Sequence, residues 1–435
     1  MRHDRFAKSR RTPPCPETTG RTAEEVPMTV PSVPFRILSL APLAPRSKDP
    51  FVHPVPVDTA ALDEAVAALP LSFTVAVSGD LCPDRRLDIE IRRFKDFHHD
   101  GLLSSQPFLA RLADARDVVR DAAARGLSDE AVRGHLRAIP GLPPIVPPRP
   151  PAGTPPGKST IDDILRMVAL PQESSPLAGE MRNVAARIES ILEGLLRHVF
   201  SDPDFRIAES AWRGVSMLLR QGIGDGDLSL ELVPVHPDTL EETLDRLTVT
   251  CAEDLPSLVL IDLPFDNTPR RVELLEKVAL FAETLLAPTI CWVTPEAFGI
   301  DGWKDLPRLA YLPNALDVPA FAKLRRLQGL PSARWVAVTC NRFLARLPYG
   351  PDNKPSRIRF DEAEGVYASP VWAIGALIAQ SVRKHGWPTR FTEWQKIRLE
   401  NLPVRAFTGT RRIPSETVFP EDRLLQFPKA GFTPL

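Results

Sequence analysis

The sequence predicts an α/β protein, in which a small α+β domain is joined through a proline-rich linker to a larger α/β domain that opens with a helical hairpin. Three observations carry this expectation. In the C-terminal half, short β-rich apolar runs alternate with helix-length amphipathic segments, the pattern of a parallel sheet with crossover helices. Two apolar-faced helical segments follow one another just before those runs. The stretch GLPPIVPPRPPAGTPP, at 141–156, separates this part from an earlier unit with its own strand and helix signals.

Taken in order, residues 1–33 hold Arg2, Arg5, Lys8, Arg10, Arg11 and Arg21 but no apolar core of a signal peptide, and read as a disordered tail with Met28 as an alternative start. A small domain over 34–139 begins with a strand at Phe35 to Leu40 and an extended stretch to Val57. A helix capped by Asp58 follows, with Leu62, Ala65, Val66 and Leu69 on one face. Ser72 to Val77 and Leu87 to Ile91 read as strands, the second alternating as a half-buried strand should, and helices follow at Gln106 to Arg125 and Asp129 to Ile139. The linker, 140–158, is a polyproline II spacer.

The large domain, 159–435, opens with a short stripe of Ile161, Ile164, Leu165 and Val168 capped by Thr160. Apolar residues from Met181 to Val199 then recur at helical spacing. Asp202-Pro203 restarts a helix, with Asp as N-cap and Pro at the first helical position. Strands are expected at Leu228 to Val235, Ser257 to Leu263, Thr289 to Thr294 and Trp335 to Thr339. The chief crossover helices are Pro269 to Leu286 and Val318 to Gln328, and a buried helix spans Ser369 to Arg383. Near the end, only Glu416 to Phe419 and Leu424 to Phe427 offer short strands, each beside a proline.

Composition narrows the function. The 435 residues carry 54 Lys+Arg against 55 Asp+Glu, so no net charge draws the chain toward nucleic acid. Val366 to Val382 is apolar but shorter than the ~20 residues of a membrane span. Five scattered cysteines form neither a disulfide framework nor a zinc motif and fit a reducing cytoplasm. The 47 prolines, roughly twice the usual share of ~5%, mark segments outside helix and sheet.

Motifs of catalysis fail their context. Gly157-Lys158-Ser159 follows Gly153 one residue too closely for a phosphate loop, and no strand precedes it. Gly222, Gly224 and Gly226 follow a helix instead of opening one. His98 and His99 are adjacent, so on regular structure they point to different faces, and no further ligand pair completes a metal site. Asp262 ends a buried strand, where α/β enzymes place catalytic groups, but has no positioned His or Lys. Arg342, Arg346 and the pair Glu209-Arg213 fit ion pairing as well as anion recognition. No catalytic, cofactor or metal residue is assigned. A cytosolic α/β enzyme that uses Asp262 or Arg342 on an anionic small molecule is the alternative.

The segment DFRIAESAWRGVSMLL, with Phe205, Glu209, Trp212, Arg213 and Gly214, resembles a signature of the large contractile-sheath subunit of bacterial type VI secretion systems (TssC/VipB). RFLARLPYG, containing Arg342, Phe343, Leu344, Arg346, Leu347, Pro348, Tyr349 and Gly350, resembles a second block. VYASPVWAIGALIAQSVRKHGWP and GFTPL follow at similar spacing. Phe35 to Leu40, RRFKDFHHDGLL and PFLARLADARDVVRD resemble the small sheath subunit (TssB/VipA), with His99 where the relatives have proline.

The resemblance implies a natural fusion of the two subunits, structural and cytoplasmic, that polymerises around an inner tube and contracts to drive secretion. Its implied partners are other sheath subunits, including a fuller large subunit, and the inner-tube protein. An AAA+ recycling unfoldase that grips Ile161, Ile164, Leu165 and Val168, and the baseplate, are further implied partners. Neither nucleic acid nor membrane insertion is implied. FTEWQKIRLE at 391–400 stands where relatives carry a glycine-rich segment, and the sequence stops at GFTPL where relatives continue. A chain without those later strands is expected to join a sheath made by a fuller relative, or to form a short cap or ring, and not to build long tubes alone.

Overall fold

A computed structural model describes residues 34–46, 53–57, 62–69, 71–125, 134, 176–221, 223, 228–389, 393 and 396–435, all within the unit Pro34–Leu435. The tail, the linker and the stripe Ile161, Ile164, Leu165 and Val168 lie outside the described residues, as do Asp58, most of the helix expected at 129–139, and Gly222, Gly224 and Gly226.

FRILSLA forms strand β1 (Phe35–Ala41), buried along nearly its whole length, and β2 (Val55–Val57) and helix α1 (Leu62–Ala68) follow. The alternating runs pair as an antiparallel hairpin of β3 (Leu71–Ala76) and β4 (Arg86–Ile91), each burying every second side chain. A 3₁₀ turn at Phe94–Phe97 leads into α2 (His99–Ser105) and α3 (Pro107–Arg125). The expected helical pair is α4 (Pro176–Ser201) and α5 (Pro203–Leu219).

Strands and helices then alternate: β5 (Leu228–Pro234), α6 (Leu240–Thr250), β6 (Leu258–Phe265), α7 (Pro269–Thr284) and β7 (Thr289–Val293). Turns of 3₁₀ helix at Pro295–Phe298 and Trp303–Arg308 precede α8 (Leu312–Ala315) and α9 (Ala322–Gln328). β8 (Val336–Cys340), β9 (Phe343–Arg346), β10 (Val366–Ala368) and α10 (Pro370–His385) come next. The chain closes with β11 (Arg405–Thr408), β12 (Arg411–Ile413), α11 (Glu421–Leu424) and β13 (Thr433–Pro434).

One seven-stranded sheet, in the order β13-β8-β7-β6-β1-β5-β2, organises the molecule. All its pairings are parallel except β2 with β5. β1 lies between β5 and β6, with Phe35 opposite Leu228 and Ile37 opposite Leu258. A strand from the smaller N-terminal part thus completes the sheet of the larger part. Strand alternation sends Ile37, Leu230, Leu258 and Leu260 to a core shared with α3, α4, α5 and α10. Leu38, Leu40, Val259 and Ile261 go to a second core under α6, α7 and α9. The β3–β4 hairpin joins the first core, where Phe73 meets Phe205 edge-on with centroids 5.6 Å apart.

Three differences from the sequence reading have local causes. Glu416 to Phe419 and Leu424 to Phe427 are not strands: Pro414, Pro420 and Pro428 interrupt pairing, and Phe419 and Phe427 are instead buried against each other at 4.8 Å. The antiparallel pairs β9–β10 and β11–β12 and the short β13 were not expected. Asp262 does not end its strand, because β6 runs on to Phe265, and its carboxylate accepts a 2.6 Å hydrogen bond from the indole N–H of Trp372. Burial pushes the Asp262 carboxyl up from its ordinary range.

Trp372 also explains Gly214. A Cβ at Gly214 would lie 2.4 Å from the Trp372 indole, so α5 and α10 approach this closely only over glycine. Gly214→Ala is expected to destabilise the fold by about 2 kcal/mol through overpacking. Urea unfolding read by tryptophan fluorescence checks it, and an unchanged midpoint would show that α10 shifts freely.

Candidate functional site: a buried ionic junction

The two segments RFLARLPYG and ESAWRG meet at one buried charge cluster, where Arg346 contacts Glu209, 137 positions earlier. Asp202 starts α5 by accepting the Phe205 N–H at 2.9 Å, and Pro203 supplies the first helical residue. That start fixes the face on which Phe205, Ala208, Glu209 and Trp212 are buried. Phe205 packs against Phe97 and Phe200, and Trp212 donates its indole N–H to the Leu43 carbonyl at 2.9 Å. This last bond ties α5 to the chain just after β1.

Glu209, fully buried, accepts from Arg213 Nε at 2.8 Å and from Arg346 Nε at 2.7 Å on Oε1, and from Arg346 Nη2 at 3.2 Å on Oε2. Arg346 turns its remaining N–H groups to Glu362, Nη1 to Oε2 at 2.5 Å and Nη2, shared with Glu209, to Oε1 at 2.8 Å, and Nη1 also donates to the Leu347 carbonyl at 3.0 Å. The planar guanidinium serves two carboxylates at once, a geometry open to Arg and closed to Lys. Its face lies over the Tyr349 ring, 4.3 Å from the centroid. Glu362 accepts the Tyr349 N–H at 2.7 Å.

Burial alone would push the Glu209 carboxyl up. The Arg213 and Arg346 charges outweigh it and hold the group below the usual carboxylate range. Burial likewise opposes the charge on Arg346, but Glu209 and Glu362 raise its pKa. Glu209 and Arg346 therefore depend on their ionic partners to stay charged away from water.

The rest of RFLARLPYG supports this arrangement. Arg342 bonds Glu416 at 2.6 Å and sits over Tyr367, while Phe343 and Leu344 are buried in β9, and the Leu344 N–H bonds the Pro414 carbonyl at 2.5 Å. Leu347 offers its carbonyl to Asn353 Nδ2 at 3.0 Å, Pro348 lies against Gly365, and Gly350 exchanges backbone bonds with Asn353.

His98 and His99 do not point apart as their adjacency suggests. His98 is the N-cap of α2, and the two rings lie 4.2 Å apart. His99 is buried against Tyr349, whose hydroxyl accepts its backbone N–H at 3.4 Å, and its Nε2 accepts the Ser356 N–H at 2.9 Å. His98, His99 and Asp100 bring one possible metal-ligand atom each to within 4.8 Å of one another. The lone pairs of His98 Nδ1 and His99 Nε2 receive the N–H groups of Asp100 and Ser356, while His99 Nδ1 and Asp100 Oδ1 have no hydrogen-bond partner among the described residues. These contacts tie α2 to the loop carrying Ser356 and to the charge cluster. An open cleft of about 690 Å³ adjoins the cluster at Arg213, with Arg220, Lys396 and Arg398 also lining it.

Burial and the neighbouring His98 depress the His99 pKa from 6.5 to about 4. Between those values the unfolded chain binds a proton that the folded chain refuses, so folding stability falls as pH drops from about 6.5 to about 4. His99→Gln is expected to flatten this part of a stability-against-pH curve. An unchanged slope would show that other groups carry it.

Sequence reasoning found the Glu209-Arg213 pair but missed its link to Arg346, and missed Glu362 altogether. A one-turn helical spacing signals the first, whereas no local pattern marks partners that only the fold brings together. Among the described residues, no helix is long and apolar enough to cross a membrane, and Cys82, Cys251, Cys291 and Cys340 are free and buried.

Residues 256–435 match the family model described as VipB: EvpB/VC_A0108, tail sheath N-terminal domain. The type VI secretion system sheath protein TssC1 of Pseudomonas aeruginosa is 25% identical over 287 residues, which cover 59% of this chain and 58% of that protein. The chain is thus homologous to type VI secretion sheath proteins, and the similarity spans under two thirds of the curated relative's length.

Proposed function

We propose, from this homology, that the chain is a structural, non-catalytic subunit of a type VI secretion sheath or sheath-like assembly, in which a small-subunit-like part (34–139) and a large-subunit-like part (159–435) are fused through 140–158. The observation that carries the reading is the place of β1. A strand from the N-terminal part, paired on both sides inside the sheet of the C-terminal part, is what an obligate pair of subunits joined into one chain would have. The buried junction of Glu209, Arg346 and Glu362 supports it further, because saturated, solvent-excluded charges fix segments relative to one another and leave no group free for turnover.

In this reading the subunit polymerises with other sheath subunits around an inner-tube protein in the cytoplasm. A rigid body of this kind passes a contraction on through its contacts with neighbours while its own core stays fixed. An AAA+ unfoldase gripping the stripe from Ile161 to Val168, and a baseplate, are the further partners of the proposal.

Negative-stain microscopy of the purified chain, alone and mixed with the sheath and inner-tube proteins encoded beside it, tests the proposal. Ordered tubes or rings are expected. Dispersed monomers in every mixture would overturn it, and turnover of an anionic substrate abolished by Asp262→Ala would replace it with the enzyme reading.

A further inference from the structure

The two ends of the parallel sheet expose different, chemically complementary surfaces. At the end where the strands begin, α10 finishes in Arg383-Lys384-His385, all exposed, and Trp387 just beyond is 61% exposed. Trp387 touches Phe35 at the start of β1, with ring centroids 6.5 Å apart. Strand register extends this surface sideways. Ile37 lies opposite Leu258, and Val259 opposite Thr289, so Leu255 before β6 and Leu286 before β7 fall in the same row as Phe35. Leu286 is 63% exposed and holds a left-handed φ of 52°, which favours glycine. Basic residues complement the dipole of a helix C-terminus in any protein, but that accounts for neither the exposed tryptophan nor the exposed leucines.

At the opposite end, after β7 and β8, α11 presents EDRLL. Glu421 and Asp422 are exposed, and Leu425 is 66% exposed, with Leu424 beside it. This short helix is firmly held. Arg423 donates to the Leu309 carbonyl at 2.7 Å and Gln426 accepts the Leu312 N–H at 2.9 Å, so its acidic and apolar groups form a fixed knob. Tyr311, next to it, is also exposed.

We propose that copies of this chain bind head to tail, the Glu421-Asp422-Leu424-Leu425 knob of one docking on the Arg383-Lys384-Trp387 surface of the next. Two acidic groups meet a basic cluster and two leucines meet an indole. Because the two surfaces are different and lie at opposite ends of the sheet, the contact is heterologous, and each added copy brings a new free surface until a ring closes or a filament grows. The proposal rests on the sheath reading for its biological setting, and names the partner, a second copy, and the surfaces it uses.

Charge exchange tests it on the full chain. One variant carries Arg383→Glu and Lys384→Glu, the other Glu421→Lys and Asp422→Lys, and sedimentation velocity over a range of concentrations reads association. Wild type is expected to form species larger than dimers, weakened by salt, and each variant alone to associate at least tenfold more weakly. Mixed in equal amounts the two variants should recover association, since each head then meets a tail of opposite charge. Leu425→Ser, a neutral change outside the core, should weaken association of that variant on its own. A monomeric wild type, as when residues 1–33 of the same chain cover the tryptophan, would overturn the proposal, as would variants that associate like wild type or fail to recover when mixed. Tubes that form with sheath partners from either variant would leave the sheath reading standing and sink this contact. Association by charge exchange without tubes in any mixture would do the reverse.

Discussion

Arg346→Met is expected to destabilise the protein by about 3–5 kcal/mol, because it leaves two buried carboxylates under-compensated, Glu209 with Arg213 alone and Glu362 with the more distant Arg206. The loss exceeds what a hydrogen-bond count suggests, since the remaining carboxylates must be protonated or hydrated in a space built to exclude water. Arg346→Lys should recover only part of it: an ammonium keeps the charge but cannot span two carboxylates and stack on Tyr349. Glu209→Met combined with Arg346→Met should cost less than the sum of the single changes, as partners in one network do not add. Urea denaturation of wild type, Arg346→Lys, the two single Met variants and their double measures this. Additive effects would mean that the junction is a set of independent contacts.

Expressing 159–435 without the N-terminal part is expected to yield insoluble or molten protein, and co-expression with 34–139 to restore a soluble, cooperatively folding complex. Removing β1 opens the sheet between β5 and β6, each losing its hydrogen-bonded neighbour, and bares the cores on both faces. A soluble C-terminal fragment with a sharp thermal transition would show that the sheet closes without β1 and would weaken the case for an obligate pairing.

Much of the fold was legible because its signals are local. The apolar runs at 258–263 and 289–294 announce buried strands, the Asp202-Pro203 pair announces a helix start, and the alternation of Leu87, Ile89 and Ile91 announces a one-sided hairpin. What stayed hidden is set by tertiary contact. Nothing in FRILSLA says that it pairs with strands whose sequences lie past residue 227, and nothing in DEAEG says that Glu362 completes a site begun at Glu209. The C-terminal region misled for a related reason. Phe419 and Phe427 have the apolar character of strand residues, but Pro420 and Pro428, each directly after one of them, forbid a ladder and leave the rings as plugs in the core.

The central position of β1 also sets a timetable. Arg36 and Ser257, hydrogen-bonded neighbours in the finished sheet, are 221 positions apart. At roughly 5–20 residues per second on the ribosome, the first strand would wait about 10–45 s before its second partner strand exists. Throughout that interval FRILSLA is a seven-residue, β-prone segment with a single charge, the kind that pairs with a neighbouring nascent chain if nothing shields it. Such distant pairing also places the protein among slow folders, whose rate is governed by the entropy of closing long loops. Folding yield in the cell should therefore respond to elongation speed and chaperone supply more sharply than the finished structure's stability would suggest.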